Sequence, residues 1–149
     1  MKAKDFYQIT GRAEIELFGP DGHLKEHRLI SNTVTALGDA HVADRMSDVG
    51  ETAMGWMAVG TGTPTATALQ TELDRNALTS KTQGAGGDDN DVIYVGDWAA
   101  GDGTGALTEA GIFNAAAVGT MFVSASFAAI NKGALDTLKI TWTVTFGST

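Results

Sequence analysis

Few side chains in this sequence stand at spacings that support chemistry. His23 and His27 lie four residues apart, on one face of an extended strand, where imidazoles hold zinc only with a third ligand and a second shell fixing the rings. Without those they read as surface histidines. Asp88, Asp89, Asn90 and Asp91 offer the hard oxygens that calcium takes, but the regular Asp-x-Asp-x-Asn-Gly loop with its distal glutamate is missing. The run reads as a solvated hairpin tip, and Asp97, Asp102 and Glu109 are read the same way. Gly60-Thr61-Gly62-Thr63-Pro64 follows a strand pattern, the position of a phosphate loop. No third glycine opens a helix, no Lys-Ser/Thr pair follows to grip phosphate and metal, and Pro64 interrupts the pattern, so a turn is expected. His41 falls on the inward stripe of a helical pattern and reads as a hydrogen-bonded core residue. Serines are sparse and none sits in a Gly-x-Ser-x-Gly elbow. A carboxylate pair distant in the chain is the hydrolytic arrangement left open. The expectation is a protein that is not an enzyme, with no cofactor and no metal.

Composition turns the question from catalysis to surface. The 149 residues suit one domain with a sizeable core. Only 19% are charged, below the usual share of about 25%. Solvent-facing positions are therefore filled largely by Thr, Ser, Gly and Ala, a neutral surface that is easily covered by copies of itself or by a partner. The net charge of −8 argues against nucleic acid, whose binding draws on Lys and Arg. No apolar run approaches the ~20 residues of a membrane span, and Met1-Lys2-Ala3-Lys4-Asp5-Phe6 leads into polar residues, unlike a signal peptide. A soluble, unprocessed protein without a membrane partner is expected. The absence of cysteine removes disulfides, thiolate nucleophiles and Cys-ligated zinc together.

The elements that would display such a surface are mostly strands. Leu138, Ile140, Trp142, Val144 and Phe146 alternate with Lys139, Thr141, Thr143 and Thr145, which predicts a half-buried antiparallel strand too apolar for an unprotected edge. It is either central or covered by another subunit. Ala13 to Phe18 and Leu24 to Ile30 alternate around Gly19-Pro20-Asp21-Gly22 and predict a hairpin. With Asn32 and the threonines Thr33 and Thr35 as N-cap candidates, the spacing of Val34, Leu37, His41 and Met46 predicts a helix of about three turns, weakened by Gly38. Trp56 to Val59 is a short strand, and Thr67 to Arg75 a helical turn carrying Leu69 and Leu73 inward. Further strands are expected at Asn76 to Gln83, Asp91 to Trp98, Ala106 to Phe113 and Thr120 to Ile130, with Gly84 to Asn90 as a hairpin tip and Asn131 to Asp136 as a loop. The predicted fold is mainly β: a single antiparallel β-sandwich or jelly-roll-like barrel over residues 1–149. It has seven or eight strands and one short helix covering an open end, with 1–9 as a possible extended arm.

Gly105-Ala106-Leu107-Thr108-Glu109-Ala110-Gly111-Ile112-Phe113-Asn114-Ala115, then Gly119-Thr120-Met121 and Ile130 to Leu138, resembles small virion structural proteins of tailed bacteriophages. Met57 to Thr63, with Thr71 to Arg75 behind it, is similar to the same family. The resemblance covers roughly Trp56 to Phe146 and implies a virion component without catalytic residues: a capsid decoration (cement) protein on the capsid exterior, or a tail-associated protein. In the first case the partner is the major capsid protein, the chain is a homo-oligomer (trimer or dimer), and it stabilises the shell by bridging capsid subunits. In the second, a fibre or adhesin binds the host surface through Gly84 to Asn90 and Ala99 to Gly105. Candidate partner contacts are Trp98 and Asp102 around the second loop, and Lys139, Thr141, Thr143 and Thr145 on the terminal strand. Trp98 carries two readings, a core residue or an aromatic anchor at the loop mouth.

Overall fold

Period-two alternation becomes pleat in the computed structural model, which describes residues 7–148. The chain runs β1 (Tyr7–Phe18), β2 (Leu24–Ser31), β3 (Thr33–Val34), α1 (Ala36–Met46), β4 (Trp56–Gly60), β5 (Glu72–Ala77), β6 (Ser80–Gln83), β7 (Asp91–Trp98), β8 (Gly105–Phe113), β9 (Met121–Lys132) and β10 (Thr137–Ser148). Two five-stranded antiparallel sheets result, in the orders β2-β1-β10-β7-β6 and β3-β9-β8-β4-β5. Ten strands exceed the seven or eight expected, because short edge strands close each sheet. Of the predicted arm over 1–9, Tyr7 to Ile9 begin β1 and the remainder lies outside the described residues.

The terminal strand is central. β10 pairs along its whole length with β1, from Tyr7↔Ser148 to Phe18↔Thr137, and on its other side with β7. Its inward row, Leu138, Ile140, Trp142 and Val144, packs with Ile15 and Leu17 of β1, Met57 and Val59 of β4, Leu107 and Ile112 of β8, and Val123 of β9 in one core between the sheets. Trp142 is wholly buried, and its indole Nε1 donates to Asn32 Oδ1 at 2.8 Å. A large apolar ring is thereby accommodated without an orphaned N–H.

Local chemistry explains the hairpin and the helix. Gly22 takes the left-handed conformation, φ 80°, that closes the turn after Pro20 and Asp21. Asp21 also accepts from the His23 backbone and ring nitrogens, 3.0 Å each, so His23 belongs to the turn and not to a strand face shared with His27. Thr35 is the helix N-cap: its Oγ1 accepts from Gly38 N at 2.8 Å and donates to Met121 O on β9.

Three predicted elements are corrected. The helix buries Gly38 and His41, whereas Leu37 is 40% and Met46 84% exposed. His41 keeps its inward place while Leu37 and Met46 do not, because Gly38 is the contact point: a Cβ there would overlap the Phe122 carbonyl oxygen and lie 2.8 Å from Phe122 Cδ1. Thr67 to Arg75 is bends followed by strand. Leu69 is buried, but Leu73 is 45% exposed on β5. Asn76 to Gln83 is not one strand, since the chain leaves the second sheet after Ala77 and joins the first at Ser80. Neither glycine nor proline marks the crossover.

Gly38→Ala separates two opposed effects. Helix propensity alone favours alanine by about 1 kcal/mol, while forcing a methyl against the β9 backbone costs about 1–3 kcal/mol. Packing outweighs propensity: urea denaturation is expected to show a less stable variant, and a more stable one would refute the contact.

Candidate interaction face

The two outer faces of the sandwich are treated differently by the chain. On the second sheet, a bulge between Leu107 and Glu109 turns Glu109 away from the main core. There it meets the connection between β4 and β5. The Glu109 carboxylate is fully buried and accepts from Gly62 N (3.1 Å), Gln70 N (2.9 Å) and Thr71 N (2.7 Å). Leu69, pulled down with this loop, packs on Ala58, Phe113 and Met121 in a satellite core. Arg75 fastens the next loop over the same face: its guanidinium lies 3.7 Å from the Phe113 ring centre, donates to Ala115 O and Val118 O at 2.9 Å each, and grips both oxygens of Glu72. Glu109 is therefore a loop cradle, and not the solvated acid expected. The chain itself covers this side.

The outer face of the first sheet is left bare. Register sets its residues in rows: His27, Glu16, Lys139 and Asp97; then Leu29, Glu14, Thr141, Val95 and Ser80; then Ser31, Arg12, Thr143, Ile93 and Thr82; then Thr10, Thr145 and Asp91. Lys139, Thr141, Thr143 and Thr145 thus run down the middle of a five-strand surface. Lys139 is opposite Glu16 and Asp97 on its two flanks. Thr145 Oγ1 donates to Asp91 Oδ1 at 2.6 Å, and Thr79 Oγ1 to Asp97 Oδ2 at 2.6 Å, so several polar atoms are already matched within the sheet. A hollow of about 360 Å³ opens among Thr10, Arg12, Ser31, Asp91, Thr143 and Thr145.

Leu29, 58% exposed, and the half-buried Ile93 and Val95 stand beside the threonines. They are not among the contacts expected from the sequence. Their signal was Val92-Ile93-Tyr94-Val95, apolar at successive positions, which is the pattern of a strand with neighbours on both faces.

The six candidate contacts do not form one patch. Trp98 pairs with Leu138 while Asp97 pairs with Lys139, so Trp98 points to the opposite side of the sheet from Lys139. It is 1% exposed and packs beneath the Ala99–Thr104 loop, with the Gly103 Cα hydrogen side against its Cδ1 edge. The anchor reading of Trp98 is corrected to core: a ring at an inward position fills the space between sheets. Asp102 is exposed on the loop above it, close enough to favour the charged form of the buried Lys132. Lys132 Nζ donates to Ala99 O at 3.0 Å. Desolvation lowers its pKa, and Asp136, Asp102 and Asp74 oppose that shift. Asp136 accepts from Lys25 Nζ and from Gly133 N, 2.8 Å each, which holds its carboxyl below the ordinary range. These groups order one end of the sandwich.

The loops Gly84 to Asn90 and Ala99 to Gly105 stand at opposite ends of β7, about 23 Å apart for seven steps of strand. They form no common receptor site. No metal-ligating group of three or more His, Cys, Asp or Glu occurs among the described residues. No family model, curated protein or solved structure matches the chain.

Two outcomes follow. Trp98→Ala should lower stability by about 3–5 kcal/mol in urea denaturation, as for other buried aromatics, and a stability like the parent's would restore it to the surface. For Asp136, the lowered folded-state pKa means stability present above the unfolded value of about 3.9 and lost as pH falls through the folded one. Asp136→Asn should therefore be the less stable protein at pH 7, with the gap closing in denaturation curves taken below about pH 4.

Proposed function

We propose that this chain is a structural virion protein of a tailed bacteriophage, a capsid decoration protein that docks on the major capsid protein through the bare outer face of its first sheet. The observation that carries the reading is the asymmetry between faces. One outer face is sealed by the chain's own loops through Glu109 and Arg75, and the other is left uncovered and presents Thr141, Thr143, Leu29, Ile93 and Val95 among charges of both signs, Glu14, Glu16, Asp91 and Asp97 with Arg12 and Lys139. Such a surface, threonine and apolar side chains at its middle with charges of both signs around them, fits an interface with a less charged centre and a polar rim. The net charge of −8 suits a protein that does not compete for packaged genome.

The sequence resemblance supports the same reading: Met57 to Thr63 falls on β4 and its exit, Gly105 to Ala115 on β8, and Ile130 to Leu138 on the link from β9 to β10. The protein acts as a dimer or trimer on the capsid exterior, bridging neighbouring subunits, and affinity accumulates from repeated weak contacts across the lattice. A tail adhesin that uses both glycine-rich loops is less well supported, because those loops are at opposite ends of β7.

Cryo-EM of purified particles tests the reading. Density for this chain on the shell, at hundreds of copies per particle on a stained gel, is expected; occupancy of the tail, or absence from particles, would reject it. The paired change Thr141→Arg and Thr143→Arg should cut capsid binding by at least about tenfold, since like or unpaired charges at an interface cost several kcal/mol. Circular dichroism and the melting temperature should stay near the parent's.

A further inference from the structure

A second cleft lies at the end of the sandwich that α1 covers. It has a volume of about 390 Å³ and opens between the helix, through His41, Val42, Arg45 and Met46, and the sheet mouth, through Met54, Tyr94, Phe122 and Phe146. The floor is aromatic: the Phe122 and Phe146 rings stack with centres 6.3 Å apart and planes 13° from parallel. Tyr94, whose hydroxyl pKa burial pushes up to about 12, stays neutral beside them. The volume falls in the range of small-molecule sites, about 300–1,000 Å³.

The polar groups of this cleft share a sign. Its charged or titratable side chains, besides Tyr94, are His41, Arg45 and Lys81, and no carboxylate is among the described residues that line it. The whole chain carries 10 Lys and Arg against 18 Asp and Glu, so composition does not account for that. Two separate elements bring the groups together, α1 with His41 and Arg45 and β6 with Lys81. Arg45 lies in the last turn of α1, where it donates to Glu51 O at 2.7 Å. Lys81 pairs with the inward Tyr94 on edge strand β6 and donates to Met54 O at 2.7 Å. Each keeps further N–H donors for a ligand.

Each cation has a simpler role taken singly. A basic residue suits a helix C-terminus, and an inward lysine guards a sheet edge. Neither role explains His41, which is 6% exposed and whose Nδ1 is buried without a hydrogen-bond partner. An unpaired buried polar atom calls for an explanation, and this one belongs to a side chain that lines the cleft. Burial lowers the imidazole pKa, with Arg45 acting in the same direction and Glu51 and Asp44 against it.

We propose that this cleft binds a small amphipathic anion, with its apolar chain or ring over Phe122 and Phe146 and its anionic head between Arg45 and Lys81. The site is on the inner side of the sheet mouth, away from the bare outer face, and its test is independent of the virion reading.

Octyl sulfate below its micellar concentration is the probe, with octanol and octyltrimethylammonium as neutral and cationic counterparts, each titrated into the full chain by calorimetry and amide NMR. Saturable one-site binding of octyl sulfate is expected, at least about tenfold tighter than octanol, because charge-assisted hydrogen bonds to the head are stronger than neutral ones. Shifts should centre on Val42, Phe122 and Phe146. Both cations are exposed, so Lys81→Ala combined with Arg45→Ala should fold normally, lose that preference and bind octyl sulfate no better than octanol. Absence of octyl sulfate binding, equal affinity for the three probes, an unaffected double variant, or shifts on the Thr141 face would each overturn the assignment.

Discussion

The structure depends on the central position of β10, which must satisfy two neighbours and two faces at once. Its backbone bonds to β1 on one side and β7 on the other, so a one-residue slip would turn Trp142 and Ile140 out of the core and Thr141 and Thr143 into it. The strict alternation of large apolar residues with Lys139 and threonine prevents that. Threonine also explains how a strand can be central and still face outward: its β-branched side chain keeps the pleat well packed without the charge that would resist a covering surface. The bare face and the core are thus two products of one register.

Much of this was legible in the residues themselves. Alternation locates β1, β2 and β10 and the hairpin at Gly22, because a half-buried strand writes its burial into every second position, while β7, β8 and β9 are legible as β-rich runs between glycine-rich loops. What failed were patterns with more than one physical solution. Leu69 and Leu73 have the spacing of a helix turn, yet Leu69 is held down by a loop that Glu109 anchors, a contact 40 positions later in the chain. Val34, Leu37, His41 and Met46 match a helical stripe, but a close approach between Gly38 and the β9 backbone sets the contact, which keeps His41 buried and leaves Leu37 and Met46 exposed. The crossover after Ala77 is hidden because no glycine or proline stands between Asn76 and Gln83 to mark where the chain passes from one sheet to the next.

Site residues were legible in proportion to how far they depend on register alone. Lys139, Thr141, Thr143 and Thr145 emerged as one row because their own strand defines it. Their companions Leu29, Glu14, Ile93 and Val95 come from three other strands and needed the pairing. Trp98 illustrates the reverse: beside a glycine-rich loop an aromatic resembles an anchor, and only the pairing of Leu138 with Trp98 places it inside. Glu109 read as a solvated acid for the same reason, since the bulge that redirects it and the three N–H groups that receive it are tertiary facts.

The pairing of Tyr7 with Ser148 and Phe18 with Thr137 has a consequence for biosynthesis. During translation β1 leaves the ribosome early, its inward Ile15 and Leu17 supported only by the hairpin to β2, and its principal partner is made last. The first sheet then forms in a late, concerted step, since contacts of such sequence separation incur their closure entropy before any packing repays it. A nascent chain halted before β10 presents two unsatisfied strand edges, β1 and β7, to chaperones or to other unfinished copies. Completion of β10 acts as a release point, and the first sheet closes only after that strand has been synthesised.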